Sequence, residues 1–322
     1  MTATRNLSAA LAALALILAA PAPAQEFPSR PIRMIVPQGA GGSTDIVARV
    51  VGQALSEVLG QPVVAENRPG AGGIIGADTV AKAPPDGYTI LFGSSTTMAA
   101  NAHLYKKLPF DPVRDFTPLA MTAVADFALI VPASSPASNL REFINLAKSR
   151  PGQLNYGYGT SSGLLCAEML KSVAGIDIVK VAYKSSPQAL NDLMANQLQF
   201  LCEPLTTSLP GAKSGKVRIL AVTGTKRTPF APELPTAQEA GAAGLEYQAW
   251  VAFFAPAGLP KDVASRLSTE LVKVTAQPTV AERIRGVGFE PTPGGGQDLA
   301  AAQNGEIARI GKVIKSAGIQ AE

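Results

Sequence analysis

Between an apolar run ending at Val36 and an amphipathic stretch beginning at Ile46 lies P-Q-G-A-G-G-S-T-D, residues 37–45. Its chemistry is that of an anion cradle. Glycine lets a backbone turn tightly and approach a ligand closely, and the N–H groups at a helix start, helped by the helix dipole, attract negative charge. The candidate contacts are Gln38, Gly39, Ala40, Gly41, Gly42, Ser43, Thr44 and Asp45. A P-loop would need Lys and then Ser/Thr after its last glycine, and a dinucleotide loop would need G-x-G-x-x-G. Here Ser43 follows Gly42 directly, and Gly39-x-Gly41-Gly42 lacks the third spacing. A carboxylate is the better-fitting anion. The plainer alternative is a glycine turn in which Ser43 or Thr44 merely caps the following helix.

Three more segments repeat this logic: E-N-R-P-G-A-G-G (66–73), G-S-S-T-T (93–97) with Ser94 and Ser95, and G-Y-G-T-S-S-G (157–163) with Gly159, Thr160, Ser161, Ser162 and Gly163. Each follows a strand-like run, so the loops fall at the carboxyl ends of strands, where open α/β sheets bind ligands. Catalytic machinery is not evident. His103 has no Ser or Cys partner, no G-x-S-x-G elbow occurs, and Asp45, Asp126, Glu168 and Glu203 could pair only through tertiary structure. Cys166 and Cys202 lack a nearby base, and one His with two Cys leaves little for a metal site. No catalytic residue, metal or cofactor is expected.

The elements that must position these loops follow from pattern. Residues 1–24 carry one charge, Arg5, an apolar run from Leu7 to Ala20, and Ala22-Pro23-Ala24. This is the layout of a secretory leader cleaved after Ala24, and it places the mature chain in the periplasm. Ile32–Val36 reads as a strand, 46–59 as a helix stopped by Gly60 with Ile46 and Val58 on its buried face, 63–65 as a strand, 74–83 as a helix and 89–92 as a strand. That β-α-β-α-β order implies a doubly wound parallel sheet. The pattern restarts after Pro118: strands at 129–131, 155–156, 178–181, 198–202 and 217–222 alternate with helices at 140–148, 164–173, 190–196 and near Leu209. A last section has a strand at 250–255, a helix at 263–276 and a long helix around 300–317. The fold class is therefore α/β, with two doubly wound lobes. Residues 25–124 form most of lobe 1, 125–247 form lobe 2, and 248–322 complete lobe 1, with hinges near 123–126 and 247–250. Composition agrees with a packed protein: 47% of residues are apolar and 16% charged, with a net charge of +4. The basic residues are scattered singles and pairs, which argues against a nucleic-acid partner.

The motifs together resemble the Bug-type solute receptors of tripartite tricarboxylate transporters. The likeness rests on F-P-S-R-P-I (27–32), V-P-Q-G-A-G-G-S-T-D (36–45), E-N-R-P-G-A-G-G (66–73) and P-D-G-Y-T-I-L (85–91). It continues in L-P-F-D-P-V-R-D-F-T-P-L (108–119), V-A-Y-K-S-S-P-Q-A-L-N-D-L (181–193), L-P-T-A-Q-E-A-G (234–241), F-A-P-A-G-L-P (254–260) and V-I-K-S-A-G-I (313–319). The resemblance implies a Venus-flytrap receptor, monomeric, that captures a small organic acid and passes it to membrane permease subunits. It also implies that residues 38–45 and 159–163 grip a ligand carboxylate, with Tyr183 as a further contact. Three departures stand out. The second loop is two residues short, with Leu164 where a His is usual, so the far end of the ligand should meet apolar surface there. V-P-Y-K-G has become V-A-Y-K-S (181–185), and Ile310 replaces the usual Trp. Within one subgroup of such receptors a Cys after the loop pairs with a Cys at a strand end, which here would join Cys166 to Cys202. Two buried free thiols are the alternative. A ligand sensor for a signalling partner and a periplasmic α/β hydrolase are the competing functions.

Overall fold

The protein is described by a computed structural model covering residues 27–321. The expected leader, 1–24, lies outside the described residues. Lobe 1 begins β1 (Ile32–Val36), α1 (Ser43–Leu59), β2 (Val63–Asn67), α2 (Ile74–Ala81) and β3 (Thr89–Ser94). β1 lies between β2 and β3 and pairs in parallel with both. α1 covers this sheet with Val47, Val50, Val51, Ala54 and Leu55, and ends at Gly60, whose left-handed backbone (φ 67°) lets its N–H reach Ser56 O. Two residues assigned to that face do not belong to it: Ile46 is 37% and Val58 42% exposed. Ile46 sits well round the helix from the stripe centred on Val51, and Val58 lies in the final turn.

A π-helical turn (Thr96–Ala100) and the short α3 (Asn101–Leu104) lead to β4, which runs from Phe116 to Pro132. The expected restart after Pro118 is thus one long strand rather than a break and a short strand. Its ladder to β9 (Gln248–Pro256) shifts register between Pro118 and Ala120 and again between Met121 and Ala123. Such irregularities accommodate a residue with no N–H to give. The first part of β4 belongs to lobe 1. From Phe127 onward it pairs instead with β7 (Phe200–Pro204) and β8 (Val217–Val222) of lobe 2.

Lobe 2 contains α4 (Leu140–Ser149), β5 (Asn155–Tyr158), α5 (Ser161–Ala174), β6 (Val179–Ala182), α6 (Ser186–Met194) and α7 (Leu205–Lys213). β5 pairs in parallel with β6 and β7. The chain returns through β9, antiparallel to both β3 and β4, and closes with α8 (Lys261–Ala276), α9 (Pro278–Arg285), β10 (Glu290–Gly295) and α10 (Gly296–Ser316). Each lobe is therefore a mixed sheet, not a purely parallel one.

The two passages between lobes are neighbours. Val124, Ala125 and Asp126 of β4 pair with Trp250, Ala249 and Gln248 of β9. Thr223, fully buried, ties them together: its hydroxyl accepts from the Phe127 N–H (3.0 Å) and donates to the Tyr247 carbonyl (2.6 Å). No helix among the described residues is long and apolar enough to cross a membrane.

Candidate functional site

Strand ends β1 and β3 of lobe 1 and β5 and β7 of lobe 2 open onto one cavity of about 700 Å³. Lobe 1 contributes the 37–45 loop. Its helix α1 is capped by Gly42 with no side-chain cap, so the hydroxyls of Ser43 and Thr44 are not used in capping. The loop is braced from below by Asp45, only 3% exposed. Its carboxylate accepts from the Gly41 N–H (2.9 Å), the Asn67 amide (2.8 Å) and the Arg49 guanidinium (3.0 Å). The same Asn67 amide also donates to Gln38 O at 3.1 Å. Burial pushes the Asp45 carboxyl up, but Arg49, Gly41 and Asn67 together hold it below the usual carboxylate range.

At the end of β3, the Ser94 hydroxyl accepts from the Gln38 amide at 3.3 Å and lies 3.2 Å from Thr97 Oγ1. The 66–73 loop closes over this turn. Gly73 has φ 91°, and a Cβ there would lie 2.4 Å from Thr97 Oγ1, so both conformation and space demand glycine.

From lobe 2, Thr160 caps α5 by accepting from the Gly163 N–H at 3.1 Å. Ser161 and Ser162 occupy the first turn, where N–H groups have no intrahelical partner. The Ser162 hydroxyl stands 3.2 Å from Thr96 Oγ1 of lobe 1. The first turn of α7 adds Thr206 and Thr207. The back wall is made of the crossing strands: Ala125 and Phe127 of β4, Ala249, Trp250 and Val251 of β9, and Phe289 just before β10. The Trp250 indole N–H donates to buried Glu306 of α10, which fixes the ring. Among the described residues, none that lines the cavity is charged.

Ten of the sequence candidates line this cavity: Gln38, Gly39, Gly42, Ser43, Thr44, Ser94, Ser95, Thr160, Ser161 and Ser162. Six do not. Ala40 lies exposed on the loop's outer side, and the Gly41 N–H is taken by Asp45, which is itself buried beneath the loop. Gly159 packs against α6, where a Cβ would lie 2.1 Å from the Ser185–Ser186 backbone, and Gly163 packs on Cys202 O. The Tyr183 hydroxyl donates to Asp192 at 2.8 Å within lobe 2. Leu164, expected to meet the ligand, is buried in the core instead; the apolar surface comes from β4 and β9. His103 is held by the Ile307 carbonyl (2.9 Å) of α10.

Sequence reasoning missed Thr206 and Thr207, although E-P-L-T-T-S (203–208) ends a strand in the same manner as the loops it found. Cys166 of α5 and Cys202 of β7 form a disulfide, with Cα atoms 6.0 Å apart. Next to it Glu203 is 1% exposed, and neither carboxylate oxygen has a hydrogen-bond partner among the described residues. Burial pushes its carboxyl up to about 7; Ser186 lies close enough to oppose that shift but not in hydrogen-bonding geometry.

The fold built from these two α/β lobes is shared with known proteins. The chain is 38% identical over 314 residues to a UPF0065 protein of Bordetella pertussis, covering 96% of this chain and 97% of that one. Among solved structures, a protein of R. palustris with adipate superposes at a TM-score of 0.78 with 37% identity, covering 92% of this chain and all of that one. MatC of Rhodopseudomonas palustris with bound malate superposes at 0.72 with 31% identity, covering 89% of this chain and all of that one. Residues 47–319 match the TctC family, described as tripartite tricarboxylate transporter family receptor, and the chain belongs to that family.

Proposed function

We propose that the chain is an exported solute receptor that closes on a small carboxylate-bearing organic acid and delivers it to the permease subunits of a tripartite transporter. The observation that carries this reading is the meeting of two helix N-termini from different lobes, α1 and α5, across a cavity without charged walls. Each terminus presents free N–H groups and about half a positive charge. Together with Ser43, Thr44, Ser161 and Ser162 they suit a carboxylate, whose acceptors need donors but not a full counter-charge. On this reading the protein binds and releases its ligand unchanged, as membership of a receptor family supports.

The leader 1–24 directs export and is cleaved after Ala24, and the receptor acts as a periplasmic monomer. The lobes, 25–124 with 248–322 and 125–247, close about the paired strands near 123–126 and 247–250. The adipate and malate complexes of the relatives support a carboxylate ligand here. Isothermal titration of residues 25–322 with organic acids and their uncharged amides tests the reading. Acids should bind and the matching amides should not; binding of amides in preference to acids would refute it.

A further inference from the structure

The adipate and malate held by the relatives are both dicarboxylates. Donors on the loops that start α1 and α5 line the cavity, with the hydroxyls of Ser94, Ser95, Thr96 and Thr97. One wall is the pair of crossing strands, which offers Ala125, Phe127, Ala249, Trp250 and Val251, with Phe289 beside them. A ligand gripped by one carboxylate between α1 and α5 shares the cavity with that wall, which can take up an apolar body.

The groups adjoining the wall reinforce the point. Asp126 follows Ala125, Glu290 follows Phe289, Glu203 precedes Pro204, and Glu306 holds the Trp250 indole. All are acids. The cations near them are engaged with those acids: Arg285 pairs with Glu290 at 2.8 Å, and Arg309 lies 3.9 Å from Glu306. No lysine or arginine among the described residues lines the cavity. The third helix end, α7, is also less open as a second cradle. The Thr207 hydroxyl turns back to donate to the Pro204 carbonyl at 2.8 Å, and the Thr206 methyl faces Gly288. An ionised group set against the apolar β4–β9 wall itself would lose its water without gaining a side-chain partner there.

Resting on the carboxylate reading above, we infer that the ligand of this receptor is a monocarboxylate with an apolar body, the carboxylate held between α1 and α5 and the body against the β4–β9 wall.

The test is a titration of residues 25–322 with butanoate, hexanoate, octanoate and phenylacetate, alongside adipate and citrate. Hexanoate should bind at least tenfold tighter than adipate, which differs by replacing a terminal methyl with a carboxylate. Affinity should rise about fourfold per added methylene until the wall is filled. Adipate binding within tenfold of hexanoate, or tighter, would overturn the inference and assign the α7 end to a second carboxylate, leaving the receptor reading intact. Failure of every acid to bind would overturn the receptor reading itself.

Discussion

Replacing Glu203 by Gln should flatten the stability–pH profile of this protein. The side chain is 1% exposed and has no hydrogen-bond partner among the described residues, and burial raises its carboxyl from an ordinary value of 4.5 to about 7. A group held protonated in the folded chain stabilises it fully while the unfolded chain is protonated too, below about pH 4.5. That stability is then lost as the pH rises through about 7, because the unfolded chain releases its proton first. At 1.36 kcal/mol per tenfold in proton affinity, the loss is on the order of 3 kcal/mol. Urea denaturation of wild type and Glu203→Gln at pH 4.5 and pH 8 measures it. Asp126 and Glu306 are also raised by burial, but they titrate in both proteins. The difference between the two curves therefore isolates Glu203, and the variant should gain about 3 kcal/mol relative to wild type between the two pH values. Parallel curves would show that Glu203 is ionised in the folded protein, and the argument from burial would fall.

Three other outcomes follow from the same region. Reduction of Cys166–Cys202, which spans 36 residues, should cost about 3–4 kcal/mol on the chain-entropy account; an unchanged urea midpoint under reductant would contradict it. Thr160→Ala removes the α5 cap and should lower stability by about 0.5–2 kcal/mol. Calorimetry on the same variant separates cap from contact, since unchanged ligand affinity would leave Thr160 as a cap alone. Gly159→Ala would drive a methyl into the Ser185–Ser186 backbone, where no flexible side chain can yield. We expect a loss of about 1–3 kcal/mol in thermal or urea unfolding, and a variant as stable as wild type would contradict that packing.

The β1–α1–β2–α2–β3 segment is legible because its information is local. An apolar run, a helical stripe and Gly60 at its end lie within thirty or so residues. β4 is not legible for the opposite reason. Pro118 reads as a stop, and only the partner strand β9, more than a hundred residues later, supplies a ladder that tolerates it. β10 is hidden in the same way: E-P-T-P-G-G looks like a loop and becomes a strand by pairing with β4. The glycine and hydroxyl loops of the site announce themselves by composition. The role of Asp45 does not, because it depends on Asn67, which the sheet brings alongside from the end of β2. The rear wall is equally silent, since Ala125, Val251 and Phe289 look like ordinary core residues until two distant strands meet beside the cleft.

The donors on α1 and those on α5 belong to different lobes. On the proposed closure of the lobes, affinity is a property of the fraction of molecules in which they are together, and the observed dissociation constant is the intrinsic one divided by that fraction. A partner that grips both lobes and holds them apart can therefore empty the receptor without touching the ligand. Each tenfold fall in the closed population weakens binding tenfold. On that proposal, unloading becomes a matter of controlling an angle.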